Sequence, residues 1–508
     1  MILDRALDLP NGRAIVGDDT FLLWSEVIDS LRRAVFQIRR GSAHASVAIW
    51  GANGPEALMA HAAVVLAGAS VVPINFHLLP AEAVSIMVRS EIDLIICDAE
   101  RSQSAIEYAS NHAISVVVWG SAEAVSSGTK SWSEWLLEGN SDDINLDIKC
   151  RPYIMFTSGT SGTPKMVKIT NQFGLPGTVR DYISACVALP FTQGSHLVVG
   201  PLYHTGPISG VRALLAGQKV VIPSRFDAER TLSLIESEKI AATVMVPTHF
   251  ARLLALPSEV RQRYDLSSIG YVAHTGASCP PAIKREMISW WGPVLVDAYG
   301  ATESGTICRI GSKEWLERPG SVGRVLGSIV RAFAYSPEGH ELPAGEEGLL
   351  YFEDSRGIGI IYDDDPEKTR TAHIRPGVFT LGDIGYVDED GYVFITDRGS
   401  DMIISGGVNI YPAEAENILI SHPAVEDAIV VAINDTDLGE VAGAVVVIKS
   451  GAKVSSQELI HFCRENLSIY KCPRDVVFVE ALPRTAMGKV NKRGLGQIYW
   501  PSGLSKTR

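Results

Sequence analysis

The sequence predicts an α/β fold: a large layered N-terminal domain containing α/β sheets and a β-rich subdomain, then a small α+β C-terminal domain. Three features of the chain predict it. Short, almost wholly apolar runs recur at 46–51 (SVAIWG), 70–75 (SVVPIN), 93–98 (DLIICD), 115–120 (SVVVWG), 196–201 (HLVVGP), 219–224 (KVVIPS) and 242–247 (ATVMVP). Helix-like stretches such as 54–68 and 227–240 lie between several of them. Strands apolar on both faces and alternating with helices make parallel sheets covered on both sides. Beyond residue 320 the texture changes, and EEGLLYFE and GDIGYVDEDGYVFITDRG read as antiparallel strands. Beyond Gly399 a second compact unit follows, with its own strands and helix.

Each element has a local reason. Asp227 is placed to cap the 227–240 helix, with Leu232, Ile235 and Ile240 on its apolar side. The DEDG stretch at 388–391 supplies a turn ending in glycine. In the C-terminal unit, strands are expected at 427–434, 442–450 and 475–480, with a serine-capped helix at 455–466. The domain boundary is expected at 398–401, giving residues 1–398 and 399–508. The tail SGLSKTR reads as a solvated end.

Composition narrows the class. The chain has 508 residues, too many for one compact core, and its 46% hydrophobic and 20% charged content is ordinary for a globular protein. A net charge of −13 argues against nucleic-acid binding. No apolar run reaches the roughly 18 residues a membrane helix needs. The first residues, MILDRALDLPNGRAIVGDD, carry charges where a signal peptide would be apolar. Seven cysteines form no C-x-x-C pair, as expected of small buried thiols in a reducing, cytoplasmic setting.

The chemistry begins at 153–170, YIMFTSGTSGTPKMVKIT. A Gly/Ser/Thr loop after an apolar strand offers backbone N–H groups and hydroxyls with little bulk, and Lys165 adds a cation; these are the requirements for cradling a polyphosphate, although such a loop is also a common surface connection. The stretch does not fit the G-x-x-x-x-G-K-[ST] loop. Further motifs follow: DAYGATESG at 297–305, Gly382-Asp383, Asp397-Arg398, and PRTAMGKV at 483–490. Together, over residues 10–495, they resemble the adenylate-forming family of acyl-CoA synthetases, luciferases and nonribosomal-peptide adenylation domains.

The resemblance implies an active site between a large N-terminal domain and a mobile C-terminal lid. It implies that Thr157, Ser158, Gly159, Thr160, Ser161, Gly162 and Lys165 hold the β- and γ-phosphates of ATP. Gly276, Ala277 and Ser278 would run along the adenine and the acyl group. In the DAYGATE stretch, Asp297 would meet the adenine amino group, with Ala298 and Gly300 alongside, and Tyr299 would lie against the ring. Thr302 would touch the α-phosphate and Glu303 would ligate Mg²⁺, a hard cation suited to one carboxylate plus waters. Asp383 would accept from the ribose hydroxyls, with Arg398 beside it. Lys489 is the expected catalytic cation, bridging acyl and phosphate oxygens as charge builds on them.

For the second half-reaction, Gly406 and Gly407 in MIISGGVNIYPAEAE (402–416) would let the pantetheine arm of CoA pass close to the backbone. His204 in YHTGP matches a histidine that gates the acyl site. GPLYHTGPISG holds no carboxylate to pair a substrate ammonium, so a free carboxylic acid is expected rather than an α-amino acid. Gly206, Gly210, Gly300 and Ala301 are small where a bulky apolar acid would need room. The expected reaction is acyl-adenylate formation, then attack by the CoA thiol. Loading of a carrier-protein phosphopantetheine arm, a silent nucleotide-binding protein and luciferase-type oxidation stay open as alternatives, as does the oligomeric state.

The chain departs from the family pattern at Met166, where glycine is usual, and at Val378 and Leu381, where Trp and Thr are usual. It also has Ser400, beside Gly399, at the expected hinge, where Asp or Lys is common.

Overall fold

The computed structural model describes residues 2–501 except 42–45, 79, 113, 121–128, 158–164, 170–176, 363–364, 399–402, 406–407, 436–437, 468, 485–489, 491 and 493. At its centre, strands Ser195–Val198, Val220–Val221, Ile240–Met245, Tyr271–His274 and Leu295–Ala301 run parallel. The chain then reverses at Ala301–Gly305, so that Gly305–Gly311 pairs antiparallel with Leu295–Ala301. Ser321–Val325, Val393–Arg398, Asp383–Val387 and Gly348–Asp354 continue the sheet antiparallel. The β-rich stretch is therefore an extension of the parallel sheet, and fifteen described strands share one mixed sheet.

A second, all-parallel sheet has the order Ser70–Ile74, Ser46–Trp50, Leu94–Asp98, Ser115–Trp119, Lys130–Ser131. Its strands carry the near-continuous burial that their apolar runs predict. Helix Pro55–Leu66 is buried at every residue from Ala57 to Leu66, because alanines and aliphatics cover its whole circumference. A helix apolar all round belongs between layers.

The helix expected at 227–240 is Ala228–Glu238, and the Asp227 carboxylate accepts from the Arg230 N–H at 2.8 Å. Leu232 and Ile235 are buried, as their spacing predicts. Ile240 is a correction. Lys239 takes the left-handed conformation (φ 48°) and ends the helix, so Ile240 opens the next strand instead.

In the C-terminal part, Val425–Asp435 and Gly439–Ile448 form an antiparallel pair, and Asp475–Phe478 lies parallel to the second. Helices Pro412–Ser421 and Ser456–Asn466 contribute Leu419, Leu459 and Cys463 to the core on one face. Leu495 and Trp500 pack on the other face with Val431 and Val445. Ser455 and Glu458 form a reciprocal cap at the second helix. The 412–421 helix, begun by a proline at its first position, was not legible as a helix in the sequence.

Between these layers stands a separate hairpin, Ile154–Thr157 against Lys165–Lys168. Its cross-strand neighbours Phe156 and Met166 pack on the core beneath the all-parallel sheet. On the opposite face, Met155 enters the neighbouring large core and Val167 the core of the antiparallel extension. Three cores thus grip one short hairpin. Met166, in place of the family's usual glycine, supplies one of those grips.

Candidate active site

The hairpin mouth is where the sequence places the phosphate loop. Thr157 and Lys165 face each other in register as the last and first residues of its two strands. Ser158, Gly159, Thr160, Ser161 and Gly162 lie outside the described residues. Any ligand of that loop would be presented from a support fixed on three sides.

The second hairpin carries the DAYGATESG motif. Its tip is tightened by Ser304, whose Oγ accepts from the Ala301 N–H and donates to the Gly305 carbonyl, both at 2.9 Å. Thr302 and Glu303 occupy that tip. A Cβ on Gly300 would lie 1.8 Å from the Gly305 carbonyl oxygen, so the two strands approach too closely there for any side chain. Glu303 Oε1 accepts from the Tyr362 hydroxyl at 2.5 Å. Burial, and then the Glu303 carboxylate, push the Tyr362 phenol well above its ordinary range, so it donates.

Read from sequence alone, Gly300 and Gly210 mark room for the acyl group; the structure gives them another reason to be small. A Cβ on Gly210 would sit 2.2 Å from Val198 Cγ2, where helix Ser209–Leu215 packs on the central sheet. Gly206 differs, since a Cβ there would meet Val244 Cγ1 at 3.4 Å and Thr275 Cγ2 at 3.7 Å, ordinary contact distances. Gly300→Ala is therefore expected to destabilise the fold by about 1–3 kcal/mol, the range for overpacking. Urea unfolding should show it as a lower midpoint, with Gly206→Ala at the wild-type value.

Asp297, midway along Leu295–Ala301, faces a buried cation. Lys284 Nζ donates to Asp297 Oδ2 at 2.9 Å, is 1% exposed, and sits 4.6 Å above the Trp315 ring. His274 Nε2 is 3.5 Å from the same oxygen, and burial lowers the imidazole pKa to about 4, keeping it neutral. Asp297 pairs the buried Lys284 ammonium, which would otherwise be an unpaired charge in the core. From His274 the chain enters the 275–280 loop, where Gly276 has φ +86° and Ala277 and Ser278 are exposed.

Tyr299, two residues beyond Asp297, donates its hydroxyl to Asp383 Oδ2 at 2.5 Å. Asp383 is 4% exposed and pairs in register with Arg398 across neighbouring strands. Two motifs 84 residues apart in sequence thus meet through one hydrogen bond. Ala298 lies between Asp297 and Tyr299 on the strand.

His204 lies in the loop after Ser195–Val198, its N–H donating to the Pro201 carbonyl at 3.1 Å and its ring 4.2 Å from that of Tyr203. Asn53 ties this loop to the all-parallel layer: Nδ2 donates to the Gly200 carbonyl at 2.9 Å, and Oδ1 accepts from the Leu202 N–H at 3.0 Å.

Lys489, Gly406, Gly407 and Ser400 lie outside the described residues. Beside Lys489, Arg484 and Val490 form an antiparallel bridge, and Arg484 Nε donates to Asp427 at 3.0 Å. Among the described residues no three-residue cluster of His, Cys, Asp or Glu is built to hold a metal. A single carboxylate, Glu303, suits a magnesium ion that arrives with a polyphosphate and keeps its waters.

The motifs alone missed Lys284, Tyr362 and Asn53. Lys284 could have been singled out as a cation among apolar residues of an amphipathic helix; Tyr362 and Asn53 act through contacts between distant segments, for which the sequence offers no local signal.

The AMP-binding enzyme family matches residues 5–358, and the AMP-binding enzyme C-terminal domain matches residues 414–489. An indoleacetate–CoA ligase from Aromatoleum aromaticum is 31% identical over 511 residues, covering 98% of this chain and 97% of its own. A feruloyl-CoA synthase from Amycolatopsis is 31% identical over 495 residues, 96% of each chain. Among solved structures, ATP-bound MatB from Rhodopseudomonas palustris is similar with a TM-score of 0.82 and 26% identity, over 98% of both chains. The o-succinylbenzoate CoA synthetase of Bacillus subtilis, in complex with its acyl-adenylate intermediate, gives a TM-score of 0.78 and 26% identity over 97% of both. With the family covering most of the chain and relatives matching it nearly end to end, this protein belongs to the AMP-binding enzymes, the adenylate-forming family.

Proposed function

We infer that the chain is an ATP-dependent carboxylic acid–CoA ligase of the AMP-forming type. The acid's carboxylate attacks the α-phosphorus of ATP, forming an acyl adenylate and releasing pyrophosphate. The CoA thiol then attacks the acyl carbon, forming the thioester and releasing AMP. The observation that carries this reading is the similarity, over 96–98% of the chain, to an indoleacetate–CoA ligase and a feruloyl-CoA synthase. Those names favour CoA over a carrier-protein arm as acceptor.

In this reading residues 1–398 bind ATP and the acid, and residues 399–508 form the lid that brings Lys489 to the reacting oxygens. Thr157 to Gly162 and Lys165 hold the phosphates; Asp297, Ala298, Tyr299 and Gly300 flank the adenine with Gly276 to Ser278; Asp383 and Arg398 take the ribose. Thr302 meets the α-phosphate, His204 guards the acyl entrance, and Gly406 and Gly407 line the thiol channel. Glu303 would hold a magnesium ion brought with ATP, and that ion would supply charge neutralisation at the phosphates. The acid is apolar and ring-bearing. What supports this is that relatives are named for indoleacetate and feruloyl substrates. Seven free cysteines fit a reducing, cytoplasmic compartment, and no described helix is long and apolar enough to cross a membrane.

The test is incubation with Mg-ATP, CoA and a panel of aliphatic, aryl and polycyclic acids, with mass detection. A ring-bearing acyl-CoA with equimolar AMP is the expected product. An acyl adenylate without thioester would move the acceptor to a carrier protein, and absence of both products with every acid would refute the ligase reading.

A further inference from the structure

Glu303 stands at the middle of the three-residue tip 302–304, where its side chain has several staggered rotamers open to it unless a partner selects one. The structure braces it from elsewhere. Tyr362, 59 residues away in sequence and 5% exposed, donates its hydroxyl to Glu303 Oε1 at 2.5 Å. No described donor meets Oε2.

Tyr362 is itself held on three sides. Its backbone N–H donates to Thr369 Oγ1 at 2.9 Å. The Lys368 ammonium lies 3.6 Å from the centre of its ring. Both residues belong to helix Pro366–Thr371, whose start is fixed by Asp365 Oδ1 accepting from the Lys368 N–H at 2.9 Å. The ring packs in the same core as Phe352, Phe379 and Val167, the last being one of the residues that seat the 154–168 hairpin. The tyrosine therefore connects the carboxylate to the same core that supports the hairpin at the expected phosphate loop.

We propose that Tyr362 is a positioning residue for the metal-nucleotide site: it fixes one oxygen of Glu303 so that the other is presented to the cation arriving with ATP. The inference rests on the ligase reading for the role of Glu303. Hydrogen-bonded partners that orient a metal-ligating carboxylate raise metal affinity by about 10–100-fold.

Tyr362→Phe removes the hydroxyl and keeps the ring, its packing and its cation–π contact. Mn²⁺ binding to the protein–ATP complex, followed by electron paramagnetic resonance without any acid, is expected to weaken by about 10-fold or more. The Mg²⁺ concentration needed for half-maximal pyrophosphate release should rise in parallel, while the thermal midpoint and the conversion of supplied acyl adenylate to thioester stay at wild-type values. Unchanged Mn²⁺ affinity overturns the proposal, as does an equal loss in both half-reactions with a lowered thermal midpoint. Failure of the ligase reading shows separately, as a wild-type protein that releases no pyrophosphate with any acid.

Discussion

Lys489→Ala is expected to lower the rate of acyl-adenylate formation by roughly 10²–10³-fold, the loss typical of removing one preorganised charge from a transition state. The first half-reaction brings a carboxylate against a phosphate that already carries negative charge, and more charge gathers on the oxygens as the bond to pyrophosphate breaks. An ammonium placed between acyl and phosphate oxygens is worth most at that moment. The carboxylates expected at the site are themselves occupied: Glu303 with Tyr362, Asp297 with Lys284, Asp383 with Tyr299. Lys284 cannot substitute, because it is buried and committed to Asp297. The thioester step has no such charge build-up on phosphate, so supplied acyl adenylate should react with CoA at the wild-type rate in the variant. Lys489→Arg should rescue poorly, since a planar fork does not reproduce a compact point charge. Pyrophosphate release and thioester formation, measured separately, decide it; equal losses in both would assign Lys489 to lid folding instead.

Legibility in the sequence followed the range of the interactions. The apolar runs at 46–51 and 93–98 became buried parallel strands because burial on both faces is written residue by residue. The Asp227 cap was equally local, since its partner is three residues away. The helix end was not, because a left-handed lysine at 239 is tolerated without glycine and leaves no compositional mark. Sheet continuity was hidden for a different reason. The Ser321–Phe394 pairing brings together strands that several other strands and a helix separate along the chain, and strand patterns do not name their partners. At the site, the motifs named Asp297, Tyr299, Glu303 and Asp383, but not the lysine and tyrosine that fix two of the carboxylates. Glycine was the most misleading residue. Gly300 and Gly210 look like space for a ligand, yet their missing side chains are required by a carbonyl and a valine methyl group of the protein itself.

Asp383→Ala is expected to raise the KM for ATP by roughly 10²–10⁴-fold, corresponding to about 3–6 kcal/mol for two hydrogen bonds to a charged group. The carboxylate is almost fully buried, and one of its oxygens already accepts from Tyr299. That bond keeps the group oriented before nucleotide arrives, so at the proposed ribose site the hydroxyls would meet a fixed acceptor and little ordering would remain to be done on binding. Tyr299→Phe tests the orienting part separately. It leaves the carboxylate in place and should raise the KM by no more than about 10-fold, the value of one hydrogen bond of ordinary strength. The discriminating measurement compares ATP with 2′-deoxy-ATP and 3′-deoxy-ATP. The wild type should penalise each missing hydroxyl, whereas Asp383→Ala should treat all three nucleotides alike, because the acceptor that tells them apart is gone. A variant that still prefers ATP over both deoxy forms by the wild-type factor would remove Asp383 from the ribose site and leave it a role only in anchoring Tyr299.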